Sequence, residues 1–359
     1  MASNIFLPSL VRTVDSNLQT IITSAWARRM KKLWWPRIAR TRSSSTRVEF
    51  IQWLLETAKI RPINQGGASY YGDMMAASFE IDNTDYGDNL NLTANQIEDA
   101  LGGDAAKAGQ KNALDYAGSW ARHIGNAGAY WPQQQVANFM HNGHGVSGSG
   151  LTPFTSYDGG AFFRTGHPSN PVTGAGSFDN LMTGRPFTPS NYALICAYIE
   201  TIVAPDALPR HLVPRIVAAG PDNRLAVMET LGARSGSLIS DPMTAAGSVA
   251  QAGVTNIVSE LFELEPPVIA ADLAESGIYK GTWWIGCELV EDDELAGVIY
   301  QERQAFGLNS YTPMSDPDLA RMDSFEWKLK GRNAIAGGHP FLLFRIEPNG
   351  TVWTPTQPT

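Results

Sequence analysis

His141-Asn-Gly-His144 places two histidines three residues apart, the nearest this sequence comes to a metal-binding pair. It lacks the glutamate of a zincin motif and runs from a helix end into a glycine loop, so it reads as a polar helix terminus. His167 and His339 each precede a proline and read as structural hydrogen-bonding groups. Glu291-Asp-Asp-Glu294 is the densest acidic run, but it has neither the glycine nor the spacing of a calcium loop and reads as a solvated face. Ser237 and Ser240 lie in a Ser/Gly loop without the Gly-x-Ser-x-Gly frame of a nucleophile elbow. No phosphate-binding Gly-x-x-x-x-Gly-Lys loop and no dinucleotide fingerprint occurs. The two cysteines, Cys196 and Cys287, sit in apolar surroundings and read as buried, reduced thiols of a cytosolic chain. They are too few for a disulfide framework or a four-thiolate zinc site. The expectation is no catalytic residue, no metal and no cofactor.

What is left to recognise a partner is charge. Residues 1–48 carry nine basic groups and one acid, Asp15, while the whole chain has a net charge of -8, so the remainder carries -16. The basic groups include Arg28, Arg29, Lys31 and Lys32, with Trp26, Trp34 and Trp35 among them. Such an arm can neutralise phosphates, dock on an acidic protein surface or lie on a membrane surface. Docking on a neighbouring copy, whose body is acidic, is the preferred reading, with DNA contact second. No apolar run is long enough to span a membrane. The opening Ile5-Phe6-Leu7 is broken by Pro8 and is not a signal peptide.

The elements that carry these groups follow from periodicity. Leu10, Val14, Leu18, Ile21, Ile22, Ala25 and Met30 predict an amphipathic helix over 9–35, stopped by Pro36. Residues 47–61, with Phe50, Trp53 and Leu54, predict a short helix. From Tyr70 to Leu92 alternation predicts a hairpin, Phe79 and Ile81 on one strand, Leu90 and Leu92 on the other, with Asn83–Asp88 as its turn. That hairpin has few core residues and needs something to lie on. Residues 93–142 predict one long interrupted helix, opened by a Thr93/Gln96 capping box, weakened by Gly125 and Gly128 and permitted to kink at Pro132. Beyond a loop-rich 143–187, a helix is predicted from Thr188-Pro189 to before Pro205. Strands are predicted at 211–218, 254–264, 282–290 and 336–346, with a helix at 221–231. With 43% hydrophobic and only 17% charged residues, 34 Gly and 22 Pro, the chain has a substantial core and many turns. The class is α+β.

Three stretches resemble the Mu-type phage major head subunit family. They are Ser78-Phe-Glu-Ile-Asp-Asn83 with Tyr86 and Ile97-Glu98-Asp99; Phe162-Phe163-Arg-Thr-Gly-His167-Pro168 with Asn180-Leu181; and Leu208-Pro209 through Leu212-Val213-Pro214 into a helix with Leu225 and Leu231. Together they span about residues 45–235. The resemblance implies the HK97-like capsid fold of tailed phages. Its parts would be an N-terminal arm (1–46), a segment with the extended hairpin or E-loop (47–93), the spine helix and P domain (94–187), an A domain (188–330) and a return to the P domain with a tail (331–359). It further implies a major capsid protein, not an enzyme. The protein would assemble in the host bacterial cytoplasm into pentamers and hexamers of an icosahedral virion shell. That shell would enclose double-stranded DNA without sequence-specific binding, with scaffold, portal and cementing proteins as further partners and no membrane. Inter-subunit contacts are expected from Leu18, Ile22, Trp26, Arg28, Arg29, Lys31, Lys32, Trp34 and Trp35 of the arm. On the hairpin they are expected from Tyr70, Tyr71, Met74, Phe79 and Tyr86. A nanocompartment shell resembling the same fold is the alternative; a metal-dependent enzyme using Glu291, Asp292 or the histidines is a more distant one.

Overall fold

The computed structural model describes residues 6–54, 76–93, 95–96, 113–145, 154–205, 209–231, 265–289, 295–311 and 324–355. Helix α1 (Phe6–Met30) leads through a Trp-Trp-Pro turn to strands β1 (Ala39–Ser43), β2 (Val48–Leu54), β3 (Ala76–Asp82) and β4 (Thr84–Thr93). Helix α2 (Ala113–Asn142) is followed by β5 (Leu181–Met182), α3 (Pro189–Glu200), β6 (Leu212–Ala219), α4 (Arg224–Leu231) and β7 (Val268–Ile269). Strands β8 (Trp283–Leu289), β9 (Val298–Tyr311), β10 (Ser324–Gly337) and β11 (Leu343–Ile346) complete the α+β chain.

Two sheets organise it. The first has the order β1-β9-β10-β4, with β1 parallel to β9 and the other pairs antiparallel. Strand alternation puts Phe325, Trp327 and Leu329 of β10 on one face, where they pack with Leu18 and Ile22 of α1 and Ala117 and Ala121 of α2. The second has the order β5-β11-β8-β6-β7. One of its faces is covered by Tyr192, Ile195 and Ile199 of α3 and Val227 of α4. The other receives Val136, Phe139 and Met140 from the C-terminal part of α2, which therefore joins the two sheets.

Helices α1 and α2 run parallel and in close contact, and glycine is the reason they can. A Cβ on Gly125 would stand 2.8 Å from the Ile22 carbonyl oxygen and 3.2 Å from the Ala25 Cβ; one on Gly128 would meet the Trp26 ring at 2.7 Å. The glycines expected to weaken α2 instead provide the surface α1 lies in. The helix also runs through Pro132 without a break; residues 97–112 lie outside the described residues.

Several expected elements are confirmed. Thr188 caps α3, its hydroxyl accepting from the Asn191 amide at 3.2 Å, and Pro189 follows. Thr93 and Gln96 form the reciprocal capping box, at 3.0 and 3.3 Å. Strands β6 and β8 and helix α4 fall where periodicity puts them. The strand expected at 254–264 lies outside the described residues.

Three expectations are corrected. Residues 48–54 are strand, not helix; β-branched Val48 and Ile51 and aromatic Phe50 and Trp53 suit a pleated pairing better than a short helix. Strands β3 and β4 do not form a hairpin. β3 pairs with β2, from Val48↔Asp82 to Leu54↔Ala76, and β4 pairs with β10, from Thr84↔Asn333 to Thr93↔Ser324. Asn83, the single residue between them, is a pivot. Its buried amide nitrogen donates to the Ser44 hydroxyl at 3.1 Å and to the Thr46 and Arg47 carbonyls at 3.1 and 3.2 Å, so the chain changes sheets there instead of turning back. The strand expected over 336–346 is split between the two sheets. Gly338 lies where a Cβ would be 2.0 Å from the Ala296 carbonyl oxygen, and this close crossing ends β10 before β11 starts.

Candidate inter-subunit surfaces and the motif core

Four of the arm's expected contact residues are engaged within the chain. Leu18 and Ile22 are buried against α2 and the first sheet, and Trp34 and Trp35 against α2, β9 and the second sheet. The turn after α1 is locked by hydrogen bonds: the Trp34 amide donates to Gln133 Oε1 at 3.0 Å, and Asp272 accepts from the Trp34 indole at 3.4 Å, from Gln133 Nε2 at 2.5 Å and from the Tyr130 hydroxyl. Burial and the Asp272 carboxylate push the Tyr130 phenol up to about 12. Trp26 is half-buried beside Phe306. Arg29 lies 4.3 Å over the Tyr130 ring, bridging the helices. Arg28, Lys31 and Lys32 are exposed and make no ion pair among the described residues. Sequence grouped nine arm residues as one surface; the structure divides them into an inward apolar set, the bridging Arg29, and an outward cationic set of Arg28, Lys31 and Lys32.

The hairpin that does exist is β2–β3, with residues 55–75 between its strands. Its base rests on the first sheet through Ile51 and Ile81, which meet Ile299, Ala334 and Ala336. Tyr70, Tyr71 and Met74 lie outside the described residues. Phe79 is in β3, opposite Ile51. Tyr86 belongs to β4 instead, where its ring meets Trp131 of α2 at 4.5 Å.

The motif around His167 is a structural knot. The buried ring meets Asp158 Oδ2 at 2.9 Å through Nδ1, and the Phe162 carbonyl and Asn180 Oδ1 at 3.0 and 3.1 Å through Nε2. Asn180 Nδ2 donates to the Phe162 and Pro340 carbonyls at 2.8 and 3.2 Å, and the Arg164 guanidinium donates to Asp158 at 2.6 Å. Burial alone would raise the Asp158 carboxyl, but hydrogen bonding and charge from His167, with help from the Gly160 amide and Arg164, hold it down at about 2. Phe162, His167 and Asn180 thus fasten the 154–180 loop to the chain entering β11.

A second cluster centres on Arg345, fully buried in β11. It makes a bidentate pair with Glu275 at 2.6 and 2.7 Å, a third bond to Glu347 at 2.8 Å, and donates to the Met140 carbonyl at the end of α2 at 2.9 Å. That carbonyl is one a helix end leaves without an internal partner, at the negative pole of the helix. His141 stacks on Trp284 nearby, and His144 on Tyr279. Burial, with Arg345 adding to it, lowers both imidazoles to about 4, and burial raises Glu275. The signal for this cluster was one arginine inside the apolar run Phe341–Ile346. Among the described residues no group of three or more His, Cys, Asp or Glu is placed to hold a metal ion, and no helix is long and apolar enough to cross a membrane. Cys196 is buried between α3 and the second sheet, where loss of water pushes its thiol up to about 12. Glu291–Glu294, Ser237 and Ser240 lie outside the described residues.

These clusters join segments of one chain, while Arg28, Lys31 and Lys32 of the arm are left at the surface. The chain belongs to the Mu-like prophage major head subunit family, gpT, whose model matches residues 11–198, and so to the major capsid proteins of tailed phages. Among solved structures it is similar to a chain of the procapsid of bacteriophage JBD30, at 15% identity over 98% of this chain and 77% of that one, TM-score 0.46. It is similar also to the capsid of cyanophage P-SCSP1u, at 11% identity over 86% of each chain, TM-score 0.46. A chain of Mycobacterium phage Bobi matches at 13% identity over 88% of this chain and 90% of that one, TM-score 0.46. No curated protein matches the sequence.

Proposed function

We propose that copies of this chain assemble into pentamers and hexamers and close an icosahedral head around double-stranded DNA, through the HK97-like capsid fold and without catalysis. The family match over residues 11–198 carries this reading. Under it, residues 47–93 with the β2–β3 hairpin hold the E-loop, 94–187 the spine α2 and the P domain, 188–330 with α3 and α4 the A domain, and 331–359 the return to the P domain. A two-stranded hairpin is marginal by itself in water. The E-loop's base is held by a few aliphatic side chains, so its outer part gains most by lying on a neighbouring copy. Each contact can be weak, because a subunit in a closed lattice makes many together. Scaffold, portal and cementing proteins would meet the same shell, built in the host cytoplasm.

Electron microscopy of the purified chain tests it. Closed shells, or rings of five or six subunits, are expected. Dispersed particles that stay dispersed on co-expression with phage scaffold and portal proteins would overturn it.

A further inference from the structure

The chain has 35 carboxylates, yet none lies between Asp15 and Glu49 or between Asp115 and Asp158. These two stretches are far apart in sequence, and the fold lays them side by side as α1 and α2. The outward face of that two-helix layer exposes Asn17, Thr20, Asn126 and Gln134, together with the cations Arg28, Lys31, Lys32 and Arg122. None of these four cations has an ion-pair partner among the described residues. Among the described residues carboxylates mark only its borders: Asp15 and Asp115 toward one end, Asp88 at the flank bonded to the Trp120 indole at 3.2 Å, and Asp272 at the other end, engaged by Trp34, Gln133 and Tyr130. In a chain of net charge -8, a helical face of cations, amides and hydroxyls with acids only toward its ends and flank is complementary to a polyanion.

We infer that the outward face of α1 and α2 binds the phosphate backbone of duplex DNA, weakly and without regard to sequence, and is the wall the enclosed genome touches. The inference rests on the head-subunit reading for the word "wall", but the binding itself does not require a shell. Lysine and arginine supply the charge, and amide and hydroxyl groups supply hydrogen bonds to phosphate oxygens, which position a duplex without reading bases. The number of contacts is small, which suits a surface that must release the genome. An acidic surface of a second copy is the competing occupant. The chemistry favours DNA, because Leu18, Ile22 and Ala25, on the apolar side of α1, are already buried within the chain.

The test is fluorescence anisotropy of a labelled 30-base-pair duplex with the unassembled full-length chain, repeated across salt concentrations. Four phosphate contacts predict roughly a hundredfold loss of affinity between about 50 and 200 mM salt. The quadruple substitution Arg28→Gln, Lys31→Gln, Lys32→Gln, Arg122→Gln should remove most of that dependence, and Arg122→Gln alone should lower the salt slope by about 0.9. All four side chains are exposed, so both variants should retain the wild-type circular dichroism and assemble as the wild type does. Unchanged DNA affinity and salt slope in the quadruple variant would overturn the inference and leave the shell reading standing. Unchanged DNA binding with lost assembly would assign the face to a neighbouring copy instead. Failure of the wild type to form shells would count against the head-subunit reading alone.

Discussion

Two glycines in one helix are expected to respond oppositely to the same substitution. In the middle of a helix, glycine to alanine normally stabilises by about 0.5–1 kcal/mol, because alanine restricts the unfolded chain and lacks glycine's backbone entropy. Gly118 of α2 should follow that rule, since a Cβ there meets only the Ile21 Cδ1, at an ordinary 3.9 Å. Gly125, two turns on, should not. Its Cβ would stand 2.8 Å from the Ile22 carbonyl oxygen and 3.1 Å from the Ile22 Cα. Both are backbone atoms inside a helix, so relief requires α1 to move away from α2. Overpacking of this kind costs about 1–3 kcal/mol, leaving Gly125→Ala destabilised by up to about 2 kcal/mol after the propensity gain. Urea denaturation of the unassembled variants measures both, and hydrogen exchange in α1 should quicken for Gly125→Ala only. Stabilisation of both variants to a similar extent would mean that α1 does not dock on α2 in solution, and the assignment of the arm to its own chain would fall.

Replacing Arg345 by Met should cost about 3–5 kcal/mol, because Glu275 and Glu347 would remain as buried carboxylates without their cation; a denaturation midpoint equal to the wild type's would refute the coupling. Asn83→Ala should cost about 1–3 kcal/mol, as the Thr46 and Arg47 carbonyls and the Ser44 hydroxyl lose a buried donor, and assembly should suffer more than folding if the pivot aims the hairpin. On acidification, His141 and His144 bind protons less readily folded than unfolded, their folded values being about 4 against an ordinary 6.5. Their contribution is therefore complete above about pH 6.5 and is lost as pH falls toward 4. A melting-temperature series should slope downward across that window, and His141→Gln should flatten it; an unaltered slope would exclude His141 as a source. Asp158, held at about 2, keeps its contribution through that window and loses it only in stronger acid.

Sequence by itself determined the α+β class, the capped starts of α3 and of the segment at Thr93, and the positions of α1, α2, β6, α4 and β8. Local preference decides these: a capping hydroxyl, a proline at the first helical position and an apolar stripe act within a few residues of where they stand. The resemblance in residues 45–235 was legible too, because motifs such as Phe162–Pro168 keep their order whatever they do in space. The carboxylate-free stretches were also visible, though nothing in the sequence put them together. Tertiary structure alone decided the partners of the strands. Residues 48–54 are helix-like in periodicity until β3 is supplied, and Asn83 is a turn residue until its amide is seen holding three oxygens. Glycine had opposite meanings at Gly118 and Gly125, distinguished only by how closely the backbone of α1 approaches it. The arm's fate turned on the same contact: an amphipathic helix must bury its apolar face, but the surface that takes it is chosen by the whole fold. Here that surface is the chain's own α2, which leaves the cations outward.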